Sequence, residues 1–177
     1  TSTMNDLLSL TRMQSDHLDH YDENVELVRL LRIEVLGSLW SLAAKKEVRI
    51  ITSLPARISL SGSRPMLRDM FYHIIVNAIT FSLPKGEVHI EASSEGRETR
   101  ITIRDNGIGI AKEQLEKVFE SFYQVREHLT RDHEGLGLGL TLARHIATYH
   151  GGRIELSSTL GEGTTVCIVL PRTSEGL

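Results

Sequence analysis

One run of the chain limits the fold more than any other. Residues 70–81 read Met-Phe-Tyr-His-Ile-Ile-Val-Asn-Ala-Ile-Thr-Phe, almost wholly apolar, inside a segment with clear ends. Ser63-Arg64-Pro65 has the form of a helix start, with serine as N-cap and proline in the first turn, and Pro84 and Gly86 stop the helix after Phe81. A helix this apolar has to be buried against another layer. It also carries a polar line: His73, Asn77 and Thr80 are spaced four and three apart and so share one face. Asparagine is an indifferent helix former, and its amide oxygen is a hard neutral ligand suited to Mg²⁺ beside substrate phosphates. A solvent-facing stripe of an amphipathic helix would give the same pattern.

The flanking segments supply the second layer. Residues 87–92 alternate as a strand, residues 99–104 answer them after a turn at Glu95-Gly96, and the two predict a hairpin. Strands are also expected at 25–28, 48–53, 154–158 and 164–170, the last two joined by a turn at Gly161-Glu162-Gly163. A helix is expected through Leu31, Val35, Leu39, Leu42 and Ala43, ending near Lys45-Lys46. A short helix should end near Phe119, and another should run from the glycines at 135–139 to His150. Residues 4–13 (apolar Met4, Leu7, Leu8, Leu10 and Met13) have the pattern of the tail of an amphipathic helix, followed by a polar linker over 14–22. The fold class is α+β, a two-layer sandwich of helices on a mixed, mostly antiparallel sheet.

Bulk properties remove several functional classes. The 177 residues are 40% hydrophobic and 24% charged, enough for one domain with its own core. A net charge of −3, with both signs interspersed, has no basic footprint for nucleic acid. No run approaches the ~18 apolar residues of a membrane span, and no signal peptide is visible. The single cysteine, Cys167, fits a reducing compartment and reads as a small core residue. A chain opening on Thr1 reads as an excised piece of a longer protein.

Two further motifs carry chemistry. Asp105-Asn106-Gly107-Ile108-Gly109-Ile110 follows a strand directly: the aspartate can accept a hydrogen bond from a base amine, and the glycines let a ring approach the backbone. Asn-Gly is equally a standard turn dipeptide. Gly135-Leu136-Gly137-Leu138-Gly139-Leu140 opens a helix, where bare amides and the dipole suit phosphate oxygens. By itself it is a weak signal. Leu140 and Leu142 occupy the third-glycine positions of a dinucleotide fingerprint, and no P-loop, H-R-D or D-F-G sequence occurs. The stretch 120–134 is polar and without periodicity, long for a loop, as functional lids are.

Taken in order, these motifs resemble the ATP-binding catalytic domain of sensor histidine kinases, in the gyrase, histidine kinase and MutL ATPase superfamily with its Bergerat-type fold. The helix with Asn77 resembles the N box, 105–110 the first glycine box, Val118-Phe119-Glu120-Ser121-Phe122-Tyr123 the F box, and 135–140 the second glycine box. The likeness extends over about 25–171. It implies that residues 21–173 are the catalytic domain, and that 1–20 are the end of a dimerisation and phospho-acceptor helix with its linker. It further implies ATP and Mg²⁺ as cofactors, with Asn77 holding the metal and His73 and Asn77 as catalytic residues. Asp105 would accept from the adenine amine, Gly107 and Gly109 would floor the adenine pocket, and Ile110 would wall it. Gly135, Leu136, Gly137 and Leu138 would line the phosphates, Thr80 and Phe81 would complete the cofactor face, and Thr164 would support the adenine end. Residues 112–134 would form the ATP lid, with Phe119 and Phe122 anchoring its base. The side chains of Asn77 and Asp105 should face one cavity.

The implied function is transfer of the ATP γ-phosphoryl group to a histidine on a separate helical domain, with a response regulator next in the phosphorelay. None of the eight histidines has the acceptor context, so the acceptor is not in this chain. The likeness implies a mainly monomeric piece of a homodimeric parent and a cytoplasmic location, with or without membrane anchoring of the parent. His73 stands where hydrolytic members such as DNA gyrase carry a glutamate, which argues for the kinase branch. Two positions depart from the pattern: Thr80 where many of these kinases have a phosphate-contacting lysine, and Gln124 where many have a lid arginine, with Arg126 and Arg131 nearby. Those departures sustain the alternative, a non-catalytic ATP-sensing kinase-like module.

Overall fold

The computed structural model describes residues 23–123 and 137–172. Strand β1 (Glu23–Glu26) leads into helix α1, which is built from Leu27–Arg29, a π-helical stretch Leu30–Val35, and Leu36–Lys45. Strands β2 (Arg49–Ser53) and β3 (Ser59–Gly62) precede helix α2 (Arg64–Phe81). The hairpin β4 (Glu87–Glu95) and β5 (Glu98–Asp105), two 3-10 turns (Lys112–Gln114 and Lys117–Phe119), helix α3 (Gly139–Tyr149), and strands β6 (Arg153–Thr159) and β7 (Gly163–Pro171) complete it.

Five strands form the main sheet in the order β2-β4-β5-β7-β6, antiparallel except for the parallel β2–β4 pair, while β1 and β3 pair antiparallel in a small second sheet. Strand alternation divides the two faces. Val88, Ile90, Ile101, Ile103, Val166, Ile168 and Leu170 turn inward and are buried. Over them lie α2, through Leu67, Met70, Phe71, Ile74, Ile75, Ala78 and Ile79, and α3, through Leu142, Ala143, Ile146 and Ala147. Each large buried side chain contributes roughly 1.5–3 kcal/mol. The outer face carries exposed pairs such as Arg153 with Glu98 (3.0 Å) and Glu155 (2.9 Å), which solvent screens. The helix-covered face therefore holds the fold together.

Several local expectations change in the structure. The expected strand 25–28 ends at Glu26, because the Glu26 carboxylate accepts from the N–H groups of Val28 (3.1 Å) and Arg29 (2.9 Å) and starts α1 there. Ser63 occupies the N-cap position of α2, but its side chain makes no capping bond. The Glu23 carboxylate instead accepts from Arg64 N–H (3.1 Å), and His150 Nε2 accepts from Ser63 N–H (3.1 Å). Strand β3 was not expected. The short helix ending near Phe119 is two 3-10 turns. Cys167 is half-buried on the outer sheet face, where its sulfur accepts from the Arg100 guanidinium (3.2 Å), so it is not a core residue. The stretch 4–13 and the linker 14–22 lie outside the described residues. Among the described residues no helix is long and apolar enough to cross a membrane.

Candidate active site

The centre of the site is the end of β5. Asp105 is buried, and its Oδ1 accepts from the backbone N–H groups of Gly107 (2.8 Å) and Thr164 (3.2 Å). Burial raises the carboxyl above its usual range, and the N–H groups of Gly107, Thr164 and Asp105 itself partly offset the shift. Both inter-residue bonds land on one oxygen, so the carboxylate is fixed in place and retains acceptor capacity at Oδ2.

The loop after Asp105 is tied on three sides. Asn106 Oδ1 accepts from Glu87 N–H (2.8 Å) on β4. Ile108 N–H donates to the Phe81 carbonyl (3.1 Å) at the end of α2, and Ser82 bridges to Gly107. On the far side, Ile108 O accepts from Gly161 N–H (2.8 Å) and Ile110 N–H donates to Ser158 Oγ (2.8 Å). Ser158 Oγ in turn donates to Gly163 O (2.7 Å) and lies 2.9 Å from Thr164 Oγ1. The two glycines of the loop are required by this packing. A Cβ on Gly107 would lie 2.1 Å from the Phe81 carbonyl oxygen. Gly109, at φ +68°, is in the left-handed region, where a Cβ would lie 2.0 Å from Thr159 O.

Helix α2 connects this loop to the second glycine segment. Phe81 is partly exposed (42%) and holds the first glycine loop through its main-chain carbonyl. Asn77 lies one turn earlier, about 6 Å along the axis. His73 lies a further turn back, its ring edge-on to Tyr72 (centroids 5.7 Å apart) and its Nδ1 3.3 Å from where a Cβ on Gly139 would stand. The polar line of α2 is half-buried beside the N-terminus of α3, which rules out a freely solvated stripe. The side chains of Asn77 and Thr80 make no hydrogen bond among the described residues, so the Asn77 amide oxygen has capacity for a ligand. No group of three or more His, Cys, Asp or Glu among the described residues could hold a metal ion. A Mg²⁺ ion here would take most of its ligands from phosphates and water, as this ion commonly does.

The second glycine segment is described in part. Gly137 lies against Tyr123, whose carbonyl oxygen would be 2.4 Å from a Cβ there. The Leu138 side chain is buried and its carbonyl accepts from Leu142 N–H (2.9 Å), which leaves only main-chain atoms of Leu138 to face a ligand. Gly135, Leu136, Gln124, Arg126 and Arg131 lie outside the described residues, as does most of the expected lid. The two residues expected at the base of the lid differ in burial. Phe119 is buried, its carbonyl accepts from Thr141 Oγ1 (2.9 Å) and Arg144 (3.3 Å), and the Arg144 guanidinium lies 4.9 Å from the centre of its ring. Phe122 is 63% exposed at φ +68°. The supporting roles of Asn106, Ser158, Thr141 and Arg144 had no local signal in the sequence, because each acts across elements far apart in the chain.

Comparison with known proteins agrees with this geometry. The family described as "Histidine kinase-, DNA gyrase B-, and HSP90-like ATPase" matches residues 62–174. The sensor histidine kinase WalK of Bacillus subtilis is 33% identical over 175 residues, covering 97% of this chain and 28% of that protein. The phosphate regulon sensor protein PhoR of Pseudomonas aeruginosa is 28% identical over 162 residues, covering 92% of this chain and 36% of that protein. The chain thus spans little more than a third of such relatives at most. Among solved structures, full-length ShkA in complex with AMPPNP has the same fold, at a TM-score of 0.83 and 24% identity over 99% of this chain and 36% of that one. The mycobacterial sensor histidine kinase MprB matches at a TM-score of 0.72 and 22% identity, over 85% and 97%. With an α+β layer, a buried strand-end aspartate and two glycine segments joined by one polar-lined helix, the chain belongs to the histidine kinase, gyrase B and HSP90-like ATPase family, as the catalytic ATP-binding domain of a sensor histidine kinase.

Proposed function

We propose that this domain binds ATP with Mg²⁺ and passes the γ-phosphoryl group to a histidine nitrogen on a separate helical domain of its parent kinase. The observation that carries the reading is the course of α2, whose one polar face meets Gly139 at His73 and the Asp105 loop at Phe81. In this reading Asp105 accepts from the adenine amine, Gly107, Gly109 and Ile110 shape the base pocket, and Thr164 steadies it through its N–H to Asp105. Asn77 and the main-chain amides of Gly135, Leu136, Gly137 and Leu138 handle the triphosphate, with His73, Thr80, Phe81 and Phe119 bounding the cleft. Mg²⁺ would supply charge neutralisation between phosphate oxygens. The protein contributes position and fixed dipoles, and the acceptor nitrogen attacks the γ-phosphorus in line as the bond to the β-phosphate oxygen breaks and ADP leaves.

Residues 1–20 are then the end of the phospho-acceptor helix and its linker, and 21–173 the catalytic domain. The parent would act as a homodimer that passes the group on to a response regulator. The test is to mix the chain with a separate acceptor hairpin and radiolabelled ATP. Acid-labile, base-stable label on the hairpin is expected. Tight ATP binding with no labelled histidine would favour a non-catalytic sensing module, for which Thr80 in place of a cation is the supporting feature. Steady phosphate release by the isolated chain would favour hydrolysis instead.

A further inference from the structure

Helix α1 has a second apolar face that the fold does not use. Its buried residues Leu27, Leu31, Val35, Leu39 and Ala43 recur every four positions, and the π-helical stretch over Leu30–Val35 helps keep that row turned toward the core. On the opposite side Ile33, Gly37, Trp40 and Ala44 are all exposed and share one face by their spacing. Ile33 is 67% exposed and Trp40 71%. Single exposed apolar residues are ordinary, but a tryptophan and an isoleucine lined up with two small residues form a continuous stripe of the kind that receives a helix.

The chain ahead of the described residues has the chemistry and the reach to cover it. Arg64 binds both Glu23, through its N–H, and the Glu34 carboxylate of α1, through its guanidinium. Glu23, at the start of the described chain, and Glu34, midway along α1, thus bond to the same residue at the start of α2. The linker 14–22 can extend about 30 Å, and Ile33 and Trp40 are only about 10 Å apart along the helix. The segment 4–13 brings Met4, Leu7, Leu8, Leu10 and Met13 to meet the stripe. The charges agree as well: Arg12 balances Asp6 within 4–13, the linker carries Asp16, Asp19 and Asp22, and Arg29 and Arg32 stand exposed on α1 with no ion pair among the described residues.

We infer that the segment 4–13 of this chain docks on the Ile33–Gly37–Trp40–Ala44 stripe of α1 and latches the catalytic domain to the helix that precedes it. Orientation of the domain relative to that helix would then be set at α1, separately from the nucleotide cleft. Trp40 is the sole tryptophan, so its fluorescence reports on the stripe directly. In the 177-residue chain at low micromolar concentration, Trp40 should emit to the blue of free tryptophan and resist acrylamide. Leu7→Asp with Leu8→Asp, and separately Ile33→Ser, should each shift emission to the red and raise quenching severalfold, with ATP affinity by calorimetry unchanged. Fully quenchable emission in the unsubstituted chain, or emission indifferent to these substitutions, overturns the inference. Protection that disappears on dilution overturns it in favour of a second copy as the occupant. ATP affinity is read independently, so failure of the latch would leave the nucleotide reading intact.

Discussion

The Asp105 loop and the Asn77 face of α2 are built in opposite ways. The Asp105 loop is held at several points: the carboxylate by Gly107 and Thr164, Asn106 by Glu87, Ile108 by Phe81 and Gly161, and Ile110 by Ser158. At the Asn77 end the amide and the Thr80 hydroxyl have no hydrogen-bond partner among the described residues. In the proposed reading a flat, neutral base is recognised by one directed hydrogen bond, which requires a carboxylate that does not move. A triphosphate with its metal brings its own charge and ligands, so the protein groups facing it can wait for their partner. The first end carries a folding cost in a desolvated carboxylate, and the second leaves polar capacity unspent until ligand arrives.

Substitutions can break or sharpen this contrast. The largest effect is expected for Gly107→Val. Its Cβ would meet main-chain and carboxylate oxygens at 2.1 and 2.7 Å, atoms that cannot rotate away freely. Stability should fall by about 3 kcal/mol and ATP binding should be lost, as read by urea denaturation and calorimetry. Retention of both would show that the loop is looser than its bonds suggest.

Asp105→Asn separates recognition from folding. The amide oxygen can still accept from Gly107 and Thr164, but the proposed charge-assisted bond to the adenine amine is lost. ATP affinity should fall ten- to hundredfold, about 1.5–3 kcal/mol. The free domain should gain stability at neutral pH. The folded state raises the pKa of Asp105, so ionising it costs more folded than unfolded, and its contribution falls as pH rises from the unfolded value to the folded one. The advantage of the asparagine should therefore be greatest above the folded pKa and vanish below the unfolded one. Denaturation curves across that acid range check the sign.

Asn77→Ala is the smallest of the three in binding and should be nearly silent in folding. ATP affinity with Mg²⁺ should weaken about tenfold, since water can replace one ligand, and the difference should shrink in EDTA. Stability should change by less than about 0.5 kcal/mol, because no bond among the described residues is broken. A large loss of stability would mean that Asn77 is structural and that the two ends are built alike.

The sequence showed most of what is local. The ends of α2 follow from Pro65 and from Pro84-Gly86, and the β4–β5 hairpin from alternation around Glu95-Gly96. The order of the polar helix and the glycine segments identified the family, since each motif is a short run whose chemistry needs only its neighbours. What escaped it depends on partners far away. Strand β3 reads Ser-Leu-Ser-Gly and is a strand because β1 lies beside it. Cys167 faces outward because β5 sets its register, opposite Thr102 and within reach of Arg100.

What the residues decided unaided was a set of groups whose chemistry suits a nucleotide: an aspartate at a strand end, an asparagine within an apolar helix, and glycine-rich runs. Tertiary structure alone decided how they are held. It fastened the Asp105 loop to α2 and to the β6–β7 turn, placed His73 against Gly139, started α2 with Glu23 and His150 in place of Ser63, and left Trp40 facing out. A side chain's chemistry travels with its identity, whereas its hydrogen-bond partners and its exposure depend on which distant segments fold beside it.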